Sequence, residues 1–143
     1  MTDSIELRIT PPDLVPRMRR YPEKLQSEME RTMKQSLAHL QGSVPEYPAA
    51  DPSSSYVRTG TLGRSIGLGG RADIYQIDAI GGGYEAKFGT RLSYAPYVID
   101  ADRQARMHSG RWWTLQSVLG RAQPGIMRLF EAMTRRMVEF LGG

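Results

Sequence analysis

Asp73 to Gly89 constrains the fold more than any other stretch, because its residues alternate with a period of two on either side of three glycines. Tyr75, Ile77 and Ala79 alternate with Gln76 and Asp78, and Tyr84, Ala86 and Phe88 alternate with Glu85 and Lys87. That period marks strands with one face on a core and the other in water. Gly81-Gly82-Gly83 joins the arms, and glycine reverses a chain at little cost because it tolerates φ > 0. The pattern predicts a central β-hairpin over 73–89, the sheet on which flanking helices pack.

The flanks supply those helices. Ile5, Leu7 and Ile9 alternate with polar residues and predict a short strand that Pro11-Pro12 ends. Residues 13–20 have room for a helical turn or two, and Pro22 suits the first position of the next helix. There Leu25, Met29, Met33, Leu37 and Leu40 recur at helical spacing, with Glu28, Arg31, Lys34 and Gln35 expected on the opposite face and Gly42 as the stop. Arg64–Gly70 reads as a short strand or turn, and Tyr94–Val98, with Pro96 inside, as an edge element or the start of a helix. Leu115, Val118 and Leu119 predict a short helix ended by Gly120. Pro124-Gly125 then precedes a final helix lined by Ile126, Leu129, Phe130, Met133, Met137 and Leu141. The fold expected is α+β: one domain over 1–143, with a small, mainly antiparallel sheet, a long N-terminal amphipathic helix and a C-terminal helix packed on it.

A chain of 143 residues, 40% apolar, can bury a single real core. None of its apolar runs approaches the roughly 20 residues of a membrane-spanning helix, so no membrane partner is expected. Met1 to Glu6 lacks the basic start and apolar run of a signal peptide, which points to synthesis in a cytoplasm. The absence of cysteine excludes disulfides, thiolate catalysis and zinc–thiolate sites, and His39 and His108 alone leave little scope for a histidine metal site. Gly67-Leu68-Gly69-Gly70 lacks the spacing and lysine of a phosphate loop. Ser65, His39 and Asp73 do not make a nucleophile elbow, and Asp100 and Asp102 diverge on a helix. No catalytic residue, cofactor or metal is expected.

Two segments point outward instead. Residues 43–58 carry Pro45, Pro48, Pro52 and Ser53-Ser54-Ser55 with few apolar residues, which predicts an extended loop. Such a loop is either a plain connector or a segment that orders against a neighbouring subunit. Further on, Arg103, Arg106 and Arg111 stand beside Trp112-Trp113, cations mixed with rings as in single-strand binders. Adjacent residues cannot both face a core in regular structure, so one tryptophan is expected to meet a partner or cover a neighbouring element. The net charge of +4 and pI near 9.6 fit either a solvated basic surface or an anionic partner such as DNA.

Thr59-Gly60-Thr61-Leu62-Gly63-Arg64-Ser65-Ile66, then the hairpin, then Gly89-Thr90 and Tyr94-Ala95-Pro96-Tyr97-Val98 form an ordered set. It resembles the tail-component family of long-tailed bacteriophages, small neck and tail-completion proteins that join head to tail. The resemblance covers most of residues 20–141. Family members often continue the last motif with an acidic residue, an aromatic and Gly-Thr, where this chain has Ile99-Asp100-Ala101-Asp102. The resemblance implies a structural virion protein of the neck or tail, a homo-oligomeric ring subunit. Its partners would be head-completion, tail-terminator or tail-tube proteins, with genomic DNA in the lumen bound without sequence specificity. Thr59, Gly60, Leu62, Ser65, Ile66, Tyr94, Ala95, Tyr97 and Val98 are expected to do structural work: Gly60 turns the backbone, Leu62 and Ile66 bury, and Ser65 bonds nearby backbone. Tyr56, Arg58, Gln76, Asp78, Trp112 and Trp113 are the expected subunit interface. The alternative is a small DNA-binding protein that uses the basic and aromatic loop.

Overall fold

The computed structural model describes residues 5–9, 22–46, 48, 60–81 and 83–140. Their elements, in order, are β1 (Ile5–Ile9), α1 (Pro22–Gly42), α2 (Thr61–Ser65), β2 (Ile74–Ile80), β3 (Gly83–Thr90), α3 (Pro96–Ile99) and α4 (Leu115–Phe140). The helical turns expected over 13–20, and most of the 43–58 loop, lie outside the described residues.

The predicted hairpin is β2 and β3, antiparallel from Ile74 opposite Gly89 to Ile80 opposite Gly83. β1 adds to the other side of β3, so the sheet order is β1-β3-β2 and all pairings are antiparallel. Leu7, Phe88 and Tyr75 share one row, and that face, with Ala86, Ile77 and Tyr84, lies against the helices. Gln76 opposite Lys87 and Asp78 opposite Glu85 form the second face. Gly89 is required where β1 crosses, since a Cβ there would collide with the Ile5 carbonyl.

α1 buries the predicted stripe of Leu25, Met29, Met33, Leu37 and Leu40. It also buries Glu28, Thr32 and Ser36, and Glu28 had been expected in water. The correction has a packing cause. α1 is covered on two sides, by the sheet and by α4, so its buried arc is wider than its apolar stripe. Along the α4 side, Arg136 Nε donates to Glu28 Oε2 at 2.6 Å, and a Cβ on Gly125 would meet the His39 ring. Both pairs of positions are eleven residues apart on their helices, so the two helices run antiparallel in steady contact. Burial raises the Glu28 carboxyl, but the hydrogen bonds and charges of Arg136 and Lys24 outweigh it and hold the pKa below the ordinary value.

α4 corrects a second expectation. In place of a short helix, a break at Gly120 and a new start at Pro124, one 26-residue helix runs through both. Pro124 cannot donate to the Gly120 carbonyl, but both residues are exposed, so water can reach the freed oxygen. Meanwhile Leu115, Val118, Ala122, Ile126, Phe130, Met133 and Met137 form one unbroken buried stripe. Packing along that stripe outweighs two poor helix formers on the wet side.

Candidate functional site

The described part of the first motif is a short helix, Thr61–Ser65, and the stretch from Ile66 to Gly70 that follows it is the turn expected there and not a strand. Gly60 enters at φ 77, and Leu62 and Ile66, four residues apart, are both buried, as a helical turn requires. Ser65 Oγ donates to the Leu62 carbonyl at 2.7 Å, the backbone bond expected of it, and Thr90 Oγ1 donates to Ser65 Oγ at 2.7 Å. Thr90 Oγ1 in turn accepts from Leu92 N, and Asp73 N donates to the Ser65 carbonyl. The motif thereby fastens α2 to the end of β3. Gln41 closes the turn after it, accepting from Ala72 N and donating to the Gly70 carbonyl. Tyr56, Arg58 and Thr59 lie outside the described residues.

The second motif leads into the basic and aromatic loop that the sequence marks as an outward-facing segment. Ala95 and Ile99 are fully buried, Val98 is half-buried, and Tyr94 and Tyr97 turn outward. From Asp100 to Thr114 the chain has no regular structure, yet it is densely bonded inside. Asp100, 4% exposed, accepts from Arg103 Nε at 2.6 Å, Asp102 N at 3.0 Å and Gln116 Nε2 at 3.0 Å. Burial pushes its carboxyl up, and those donors together with the Arg103 charge pull it further down, so it stays below the ordinary aspartate value. Gln104 Nε2 donates to the carbonyls of Val98 and Trp112, and Ala105 N donates to the Tyr97 carbonyl at 2.7 Å. Two polar side chains thus hold a fifteen-residue loop in one shape.

Both tryptophans belong to this loop. Each is half-buried and packed on the core, with ring centroids 6.0 Å apart, and His108 stands edge-on to Trp112 at 6.4 Å. Trp113 Nε1 donates to the Glu46 carbonyl, covering the chain that leaves α1. Trp113 thus covers a neighbouring segment, as expected of one ring, but both rings also reach the core. Irregular backbone has no alternation, so neighbouring rings can share a shelf. Burial, then the nearby Arg111 charge, hold the His108 pKa below its ordinary value.

The loop also presents Met107, 72% exposed, and Tyr97, whose carbonyl accepts from Ala105 N, is 59% exposed. Residues 91–121 hold five arginines, two aspartates, and neither lysine nor glutamate, so three of the chain's four net charges fall in this stretch. Among the described residues Arg106 has no carboxylate partner. Gln76 and Asp78, the other expected interface residues, are exposed on a different element, the edge strand β2, where Gln76 Nε2 donates to Asp78 Oδ2 at 3.1 Å. The signal that could have found the loop is its side-chain pairing, an acid followed by arginine three residues on, but one sequence does not say which pairs close.

Among the described residues there is no His/Cys/Asp/Glu group able to hold a metal ion, and no helix is long and apolar enough to cross a membrane. The chain matches no family model, and no curated protein or solved structure is significantly similar to it.

Proposed function

We propose that the chain is a structural virion subunit of a bacteriophage neck, a head–tail connector or tail-completion protein that works by assembling as a ring around the DNA channel. The observation that carries this reading is the division of labour between the motifs and the loop. The motif side chains Ser65 and Thr90 are spent on internal bonds that fasten α2 to the sheet. What faces outward is a closely bonded loop carrying Arg103, Arg106, Arg111 and Met107, with Tyr94 and Tyr97 exposed just before it. Arginine, tyrosine and methionine are residue types enriched at interfaces between proteins. The edge of β2 adds a second surface, since among the described residues no strand pairs with its outer side. The order of motifs along the chain supplies the phage context.

The test is electron microscopy and light scattering on the purified protein, alone and with neighbouring virion proteins. Rings, or a defined oligomer that joins those neighbours, are expected. A chain that remains monomeric in every mixture would sink the reading.

The arginine count of residues 91–121 favours one second reading, a small DNA-binding protein that uses this loop. Binding of that kind weakens steeply with salt, because each phosphate contact releases counterions. Tight oligonucleotide binding by the monomer, lost on added salt and on neutralising Arg106 and Arg111, would favour it over assembly.

A further inference from the structure

The exposed side of the two long helices carries Arg31 and Lys34 on α1 and Arg121, Arg128 and Arg135 on α4. Among the described residues none of these five has a carboxylate partner. Arg121, Arg128 and Arg135 recur every seven residues, close to two helical turns, and so form a row with a spacing of about 10 Å. The Glu28–Arg136 bond and the His39–Gly125 contact set the register of the helices. That register brings Arg31 and Lys34 level with the stretch between Arg128 and Arg135. The acids of these helices are mostly spoken for. Glu28 is held by Arg136 and Lys24, and Glu30 accepts from Tyr84 and Gln26. Glu23 and Glu139 lie at the end where α1 starts and α4 closes. Glu131 is the one carboxylate inside the row, between Arg128 and Arg135, and it bridges neither.

We propose that this helix face binds the phosphate backbone of duplex DNA without reading its sequence. The site is separate from the loop over 100–114 and stands on the helices alone; within the proposed ring it is the face turned to the channel. Cations spaced along helices whose other side is fixed in the core suit a polyanion of regular charge. Contacts of this kind position a duplex and carry no sequence information. A single strand fits less well, because no aromatic ring lies among the five cations for bases to stack on. A protein partner fits less well too, since an interface needs an apolar centre. The exposed apolar residues within α4, Met127 and Val138, each lie two residues beyond one that faces α1, Gly125 and Arg136. They therefore point the opposite way and leave the row without such a centre.

The test is the anisotropy of a fluorescent duplex of random sequence, titrated with the full chain across a salt series. Thermal melting is the fold control, and light scattering reads assembly. The logarithm of the binding constant should fall linearly with the logarithm of salt, by about 0.9 per phosphate contacted. Arg128→Gln and Arg135→Gln should each make that slope shallower by about one and weaken binding to every sequence alike. Glu131→Gln should bind more tightly than the parent at low salt, since it removes the repulsive charge from the row. None of the three should lower the melting temperature, because all three side chains are exposed and outside any ion pair. A parent that ignores duplex DNA at low salt, or arginine variants that keep the parent's slope, would overturn the site. So would a slope that changes in Arg106→Gln instead, which moves binding to the loop, or a loss of assembly in the arginine variants, which makes the row a protein joint. A parent that binds as expected but stays monomeric in every mixture sinks the assembly reading and leaves this site standing. A ring that ignores DNA does the reverse.

Discussion

Single side chains decide how the two buried polar pairs behave. Ser65 and Thr90 hydroxyls bond each other and the backbone with both residues buried, so removing either leaves a partner unsatisfied. Ser65→Ala and Thr90→Val should each cost about 1–2 kcal/mol, and the double variant less than their sum, measured by denaturant unfolding. Glu28 and Arg136 are a harsher case. Glu28→Ala leaves a guanidinium largely out of water and should cost about 3 kcal/mol. The Glu28 pKa lies below its ordinary 4.5 in the folded chain. The pair's contribution is therefore complete above that value and is lost as pH falls through the folded pKa. Thermal melting against pH should be flat on the neutral side and drop in acid, with a shallower drop in Glu28→Gln. An equal drop in both would remove Glu28 from the account.

Elements follow propensity only where packing allows. Pro124 interrupts the hydrogen-bond ladder of α4 without ending it, because the buried stripe from Leu115 to Met137 is continuous. Proline inside a helix costs about 3 kcal/mol relative to alanine, part of it already relieved here by exposure. Pro124→Ala should therefore raise the melting temperature with no change in assembly, and a lower melting temperature would mean the helix needs the break. The same contrast explains what could be read in advance. The hairpin, α1 and the C-terminal half of α4 were legible because each repeats one period for long enough to commit to a face. Gly120 and Pro124 misled because local breakers carry no record of what packs on the other side. Glu28 was placed in water because its partner sits 108 positions away. The loop over 100–114 was unreadable for a related reason: its order comes from Asp100 and Gln104 reaching backbone atoms, and only the folded path reveals which.

At the scale of the whole molecule, charge is distributed unevenly, with residues 91–121 carrying most of the net excess. A joint made from such a surface is screened by salt, since the Debye length shrinks from about 10 Å at 0.1 M to about 3 Å at 1 M. Sedimentation across that range should show the proposed assembly dissociating, and an oligomer indifferent to salt would place the joint in apolar surface elsewhere. The path of the chain has another consequence. β1 pairs with β3, α1 packs on β3 and α4, and Gln41 is bonded to Gly70 and Ala72. Each of these early elements thus finds its partner beyond residue 60. The covalent link between the two parts is then dispensable to their recognition: a piece ending near Pro48 and another beginning near Gly60 carry complementary halves of one core. Co-expressed, the two pieces should copurify and melt together, like a heterodimer whose interface is the interior of the original protein.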